Sequence, residues 1–219
     1  MKKRLVKLMA IISGVVGVGM MMAVMLPIIS YEILGEGDYR SYLSPVPEGI
    51  DYTKASNWFS GGGEEFGPAS KVSYYTISIP GLDIRDATVA IGGEDLSQYL
   101  IQYPGTALPG KRGNAVIFGH SILPQFYNPD DYLSIFSLLP SLKVGNEIVV
   151  NYDGVEYLYR VMDKFEVGPR DLEVLEQNMS DSFLSLVTCV PPGHPLRPRR
   201  LVVRAKVVPL SEAYGSNRS

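Results

Sequence analysis

Hydrophobic and polar positions divide the 219-residue chain into three stretches. Residues 8–29 hold no Asp, Glu, Lys or Arg and follow the basic cluster Lys2, Lys3, Arg4 and Lys7. A helix of that length spans roughly 33 Å at ~1.5 Å per residue, against a hydrocarbon core of about 30 Å. The basic tip is expected to stay in the cytoplasm, which places everything after it on the outer side of the membrane. A cleaved signal peptide would have a shorter apolar region and a small-x-small site, which Met25-Leu26-Pro27-Ile28-Ile29-Ser30 does not offer. The pattern therefore predicts an uncleaved, single-pass signal anchor over 1–30.

Residues 31–70 scatter their apolar positions among Pro45, Pro47, Ser60 and the run Gly61-Gly62-Gly63, and read as a stem or linker. Trp58-Phe59 stands out within it, either as local packing or as an aromatic pair docking on the domain as a lid or on a membrane surface. From 72 onward short β-branched and aromatic runs dominate. Strands are expected at 72–79, stopped by Pro80-Gly81, and at 115–118, 147–152, 156–167, 184–190 and 201–208. Asp153-Gly154 lies between two of them and predicts a tight type I′ hairpin, whose central positions both need positive φ. Short helices are expected near 94–100, 130–139, with Asp130 or Asp131 as N-cap, and 170–178. Many short strands without regular βαβ alternation imply an all-β barrel or sandwich over 71–210, followed by a polar tail at 211–219.

Composition narrows the partners. The formal net charge is −3, and no basic excess points to nucleic acid. Cys189 is the single cysteine, in Leu186-Val187-Thr188-Cys189-Val190-Pro191-Pro192-Gly193. Exported chains usually pair their cysteines, so an odd one is a reactive thiol, an intermolecular bridge or a small buried hydrophobe.

The chain has two histidines. His120 closes Gly113-Asn114-Ala115-Val116-Ile117-Phe118-Gly119-His120 directly after a strand, and His194 lies in a Pro-rich loop. With no clustered ligand spacing, a zinc site is not expected, and no other metal or cofactor is implied. A Cys–His couple uses these residues better, since imidazole can exchange the thiol proton or protonate a departing amine. Arg197, Arg199, Arg200 and Arg204 crowd the next strand, where 200, 202 and 204 share a face. A guanidinium fixed there can donate to a developing oxyanion, or can simply be a solvated charge on an edge strand.

Together these segments resemble the sortases, membrane-anchored cysteine transpeptidases of the bacterial surface. Gly113-Asn114…Gly119-His120 is similar to the family's histidine motif, Leu186-Val187-Thr188-Cys189 to its cysteine motif, and Arg200-Leu201-Val202-Val203-Arg204-Ala205 to its arginine-bearing strand. Similarity covers about 72–208. The resemblance implies an eight-stranded β-barrel with a few short helices behind the anchor. It also implies Cys189 as nucleophile, His120 as general acid/base, Arg200 as oxyanion or substrate-positioning cation, and Thr188 as a groove residue. Ser185 stands where the family often has Thr.

The implied reaction is cleavage of a sorting signal similar to Leu-Pro-x-Thr-Gly and transfer to an amine. The implied partners are surface proteins bearing such a signal and an amine acceptor on a cell-wall precursor or a pilin lysine. The Thr-Cys-x-Pro-x-Gly loop is similar to pilin-type classes, yet the Asp-Pro-aromatic lid motif is absent from the segment before the barrel; protein anchoring is the favoured reading and pilus assembly the alternative. Cys189 between Thr188 and Val190 departs from the Ser-x-Gly-Cys-x-Arg pattern of L,D-transpeptidases. A catalytically inactive, membrane-tethered peptide-binding barrel is the remaining class.

Overall fold

The computed structural model describes residues 2–34, 74–196 and 198–209. It forms two compact units, 1–36 and 37–219, each described here by itself. The first is one helix, α1 (Lys2–Leu34), whose stretch Met9–Leu26 is long and apolar enough to cross a membrane and carries its side chains exposed. The helix runs past the expected end of the anchor and takes in 31–34, which the sequence pattern assigns to the stem. The rest of that stem, with Trp58-Phe59, and the tail at 211–219 lie outside the described residues.

The second unit is a closed eight-stranded barrel. Its strands are β1 (Tyr74–Ile79), β2 (Ile84–Ile91), β3 (Leu100–Gln102), β4 (Gly113–Phe118), β5 (Glu147–Tyr152), β6 (Val155–Val167), β7 (Ser182–Val190) and β8 (Arg199–Val207), in the spatial order β1-β2-β3-β4-β7-β8-β6-β5. Pairings are antiparallel except β2 with β3 and β4 with β7. The β5–β6 hairpin turns on Asp153 (φ 52°) and Gly154 (φ 73°), both left-handed as a type I′ turn requires. Tyr75, Ile77, Ile148, Val150, Tyr159 and Val161 are buried on the inward face, one residue in two along their strands.

One irregularity sets up the groove. On β6, Val161 pairs with Ala205 but Asp163 pairs with Arg204, so Met162 is an extra residue. A bulge of this kind reverses the alternation beyond it. Tyr159 and Val161 point inward before the bulge; after it, Phe165 pairs with Val202 and Val167 with Arg200, on the opposite face of the sheet.

The expected strands are present, but β2 and β3 are additional and the three expected helices are not α-helical. Residues 94–99 form turns in which the Asp95 carboxylate takes the Ser97 N–H (2.9 Å) and hydroxyl (2.5 Å), and Leu100 already belongs to β3. Around 130–139 the backbone turns repeatedly, with Asp131 Oδ1 accepting from Leu133 N–H (3.0 Å), and ends in the 3-10 turn Leu139–Ser141. Ser134 Oγ donates to the Asn128 carbonyl, so side chains take backbone partners there and compete with helix formation. In 170–178 only Leu172–Leu175 is helical, as a 3-10 turn.

Candidate active site

Three neighbouring strands, β4, β7 and β8, carry the candidate residues. The parallel β4–β7 ladder ends at Phe118 opposite Val187. Beyond it the chain must stay close, because Gly119 leaves no room for a side chain: a Cβ there would lie 2.5 Å from Phe136 and 2.6 Å from Leu100. Gly119 N–H donates to the Val187 carbonyl (3.1 Å), and the register carried two steps past Phe118 and Val187 would set His120 level with Cys189. His120 is buried, and its carbonyl accepts from Phe136 N–H (2.9 Å).

On the other side, β7 and β8 pair antiparallel with Cys189 directly opposite Arg200. Directly opposed residues project to the same face, with Cβ atoms about 4.5–5.5 Å apart. His120 just past the end of β4, Cys189 on β7 and Arg200 on β8 are thus carried by three successive strands or their ends, all buried; Arg200 is 0 % exposed. The other arginines are engaged elsewhere. Arg199 forms an ion pair with Glu166 (2.9 Å), and Arg204, opposite Ser185, lies over the Phe165 ring at 5.2 Å with its Nε donating to Ser185 Oγ (3.4 Å). Arg197 lies outside the described residues. His194 sits in the β7–β8 loop, where its Nδ1 accepts from Leu196 N–H (3.1 Å).

Thr188 is placed differently from the groove-lining position implied for it. It is 0 % exposed, and strand alternation turns it to the face opposite Cys189. Its hydroxyl donates to the Gly119 carbonyl (2.8 Å).

Cys189 packs in an apolar cluster with Leu96, Val116, Phe118, Val174, Val187 and Val202, bordered by Tyr99, Tyr103, Phe165, Val167 and Leu175. The segments after β2 and after β6 therefore cover the outer face of the β4–β7 pair. In the first of them, Asp95 is held below the usual carboxylate range by hydrogen bonds from Ser97 and then Gln98, with a smaller pull from His120. Next to the second, a cleft of about 470 Å³ is floored by Phe165 and Arg204 and walled by Val167, Val174, Glu173 and Glu176.

Below it a buried network ties the strands together. Asn114 Oδ1 accepts from Ser185 Oγ (2.8 Å), and Asn114 Nδ2 donates to the Val174 carbonyl (2.9 Å). Ser185 thus uses the hydroxyl that it shares with Thr to hold β4.

A thiol, an imidazole and a guanidinium on neighbouring segments in mostly apolar surroundings are the groups that nucleophilic acyl chemistry uses as nucleophile, proton carrier and oxyanion donor. Among the described residues no group of three or more His, Cys, Asp or Glu side chains is placed to hold a metal ion. Sequence reasoning missed Ser121, whose hydroxyl donates to the Cys189 carbonyl (2.6 Å), and Asp95. The position of Ser121 directly after His120 was the available signal for the first. Nothing local marks Asp95, which reaches the site only through the turn before β3.

Comparison with known proteins agrees with this fold. The model of the sortase domain family matches residues 77–208. Among solved structures, a sortase D5 transpeptidase of Clostridium perfringens is 25% identical, with TM-score 0.53, covering 63% of this chain and 79% of that one. Sortase C-1 of Actinomyces oris is 25% identical with TM-score 0.55, covering 64% and 77%. A lid mutant of sortase A from Corynebacterium diphtheriae is 28% identical with TM-score 0.55, covering 68% and 76%. No curated protein matches the chain.

Proposed function

The chain belongs to the sortase family, and on that premise we propose that it cleaves a sorting signal similar to Leu-Pro-x-Thr-Gly and transfers the acyl fragment to an amine. The observation that supports the assignment of residues is the opposition of Cys189 and Arg200 across β7 and β8, with His120 two residues past the end of β4, the strand that pairs with β7.

In the proposed reaction the Cys189 thiolate attacks the carbonyl carbon of the threonine. Arg200 donates to the oxygen as it gains negative charge. The C–N bond to glycine then breaks, and His120 in its acid form gives its proton to the departing amine. The product is a thioester on Cys189. A second amine attacks that thioester, loses a proton to His120, and expels the Cys189 thiolate, which restores the site. The apolar shell around Cys189 disfavours water between the two steps.

The sorting-signal peptide is proposed to bind in the cleft beside Phe165 and Arg204, the face of β8 that also carries Arg200. Helix α1 is proposed to anchor the enzyme by a single pass, with the basic tip cytoplasmic and residues 71–210 acting outside. Protein anchoring to a cell-wall precursor is the favoured outcome. Pilin polymerisation, in which a lysine side chain supplies the amine, is the alternative.

The test is cleavage of a fluorogenic sorting-signal peptide by the full chain in detergent. Mass spectrometry should show an acyl adduct on Cys189, and Cys189→Ala should abolish both cleavage and adduct. Half the cleavage rate surviving in Cys189→Ala would overturn the assignment. Adding a short glycine peptide or a lysine-bearing pilin peptide in turn distinguishes the two acceptors.

A further inference from the structure

The stretch Gly119-His120-Ser121 and the stretch Thr188-Cys189 are joined by more than the ladder that leads to them. Backbone pairing of β4 and β7 ends at Phe118 and Val187, and the next rung, Gly119 N–H to the Val187 carbonyl, is 3.1 Å. From there two hydroxyls carry the connection. Thr188 Oγ1 donates to the carbonyl of Gly119 (2.8 Å), the residue before the histidine. Ser121 Oγ donates to the carbonyl of Cys189 itself (2.6 Å), from the residue after the histidine.

The two bonds run in opposite senses and bracket the pair. Both hydroxyl residues are buried, Thr188 at 0 % and Ser121 at 7 % exposure, so water competes poorly for either carbonyl. Both are side chains of rigidly placed residues. Thr188 lies within β7, and the segment after Ser121 is tied back by Ile122 N–H to Ser137 Oγ (2.9 Å).

We infer that Ser121 and Thr188 are positioning residues for the reaction: their reciprocal hydroxyl-to-carbonyl bonds set the separation of the His120 ring and the Cys189 thiol. Neither touches the reacting atoms. Strands diverge once backbone rungs stop, and the histidine lies two residues past the last ladder pair, with Phe136 N–H at its carbonyl. Displacement of a catalytic group by about 1 Å can cost about 10²-fold in rate. The inference rests on the transpeptidase reading for its kinetic effect, but not for its effect on the thiol.

The experiment uses the full chain and the variants Thr188→Val, which keeps the shape and removes the hydroxyl, and Ser121→Ala. Thr188→Ser and Ser121→Thr are the conservative controls. Two readouts are taken: kcat and KM on the sorting-signal peptide, and the pH midpoint of Cys189 alkylation by iodoacetamide, which needs no substrate. Other charged groups on the elements packed around the pair are Arg200, the Arg199–Glu166 ion pair, Asp95 and His194, and no variant alters them.

The hydroxyl-less variants should lose roughly 10–100-fold in kcat with KM within about twofold. Their alkylation midpoint should move towards that of His120→Ala, and both conservative variants should restore wild-type values. An unchanged midpoint would overturn the inference, whether kcat stays normal or falls with folding stability. If wild type fails to cleave the peptide while the midpoints still shift, the function is at fault and the positioning role stands.

Discussion

All six residues of β4 and eight of the nine in β7 are buried, whereas three of six in β5 and only two of thirteen in β6 are. The hairpin β5–β6 behaves as an antiparallel ribbon with one face on the core and one in water. The parallel pair β4–β7 is covered on both faces, but here the outer cover is not a helix layer. It consists of the segments that bring Leu96 and Tyr99 before β3, and Val174 and Leu175 before β7. Loops laid over a sheet leave a cleft, here beside Phe165 and Arg204, and Cys189 packs under the same cover. The doubly buried pair is thus the side of this barrel to which the proposed chemistry is assigned.

That contrast is broken most decisively if the chemistry does not depend on the doubly buried strands. His120→Ala should lower kcat by about 10²–10⁴-fold, the range of general acid–base assistance, while His194→Ala, in the β7–β8 loop, should change it far less. The opposite ranking would move the site off β4. The next effect separates two arginines on one strand. Arg200→Lys keeps the charge but loses the planar fork, and should cost about 10²–10³-fold in kcat as an oxyanion donor. Arg204→Lys, at the far end of the face, should stay close to wild type on the same peptide. A crippled Arg204→Lys with a normal Arg200→Lys would reassign the cation.

The smallest effect sharpens the comparison in the fold itself. Val187→Ala, on the outer face of β7, removes a side chain with 0 % exposure and should cost about 2 kcal/mol in urea unfolding. The same change at Val155, 49 % exposed at the start of β6, should stay within about 0.5 kcal/mol. Equal costs would mean that the covering segments contribute no packing to β7.

The hairpin half of the barrel was legible because its residues alternate in water and its turn has a chemical signature. β5 begins and ends where the run 147–152 places it, and Asp153-Gly154 adopts the expected left-handed pair. The other half was legible through its reactive side chains and the spacing of Cys189 and Arg200, which an antiparallel connection turns into direct opposition. β2 was hidden by Arg85 and Asp86 near its start, the latter at φ 46°, and β3 by its three-residue length after Leu96, whose spacing to Leu100 imitates a helix. The turns at 130–139 imitate one too, since only the folded chain shows that Ser134 spends its hydroxyl on Asn128 and Ser137 on Ile122. The resemblance implies a groove position for Thr188, but on a strand the residue beside Cys189 faces the opposite side.

The extra residue at Met162 makes the length of β6 part of what the gene encodes. Removing that codon would join Val161 directly to the Asp163–Arg204 pair, so the ladder would run without a bulge and Phe165 and Val167 would still face the cleft. A segment from a relative is therefore compatible whether or not it carries the extra residue, provided the pairs on either side keep their partners on β8. For recombination by laboratory shuffling, or by divergence in nature, losing one residue there is a milder event than losing two, which would turn Phe165 and Val167 towards the barrel interior.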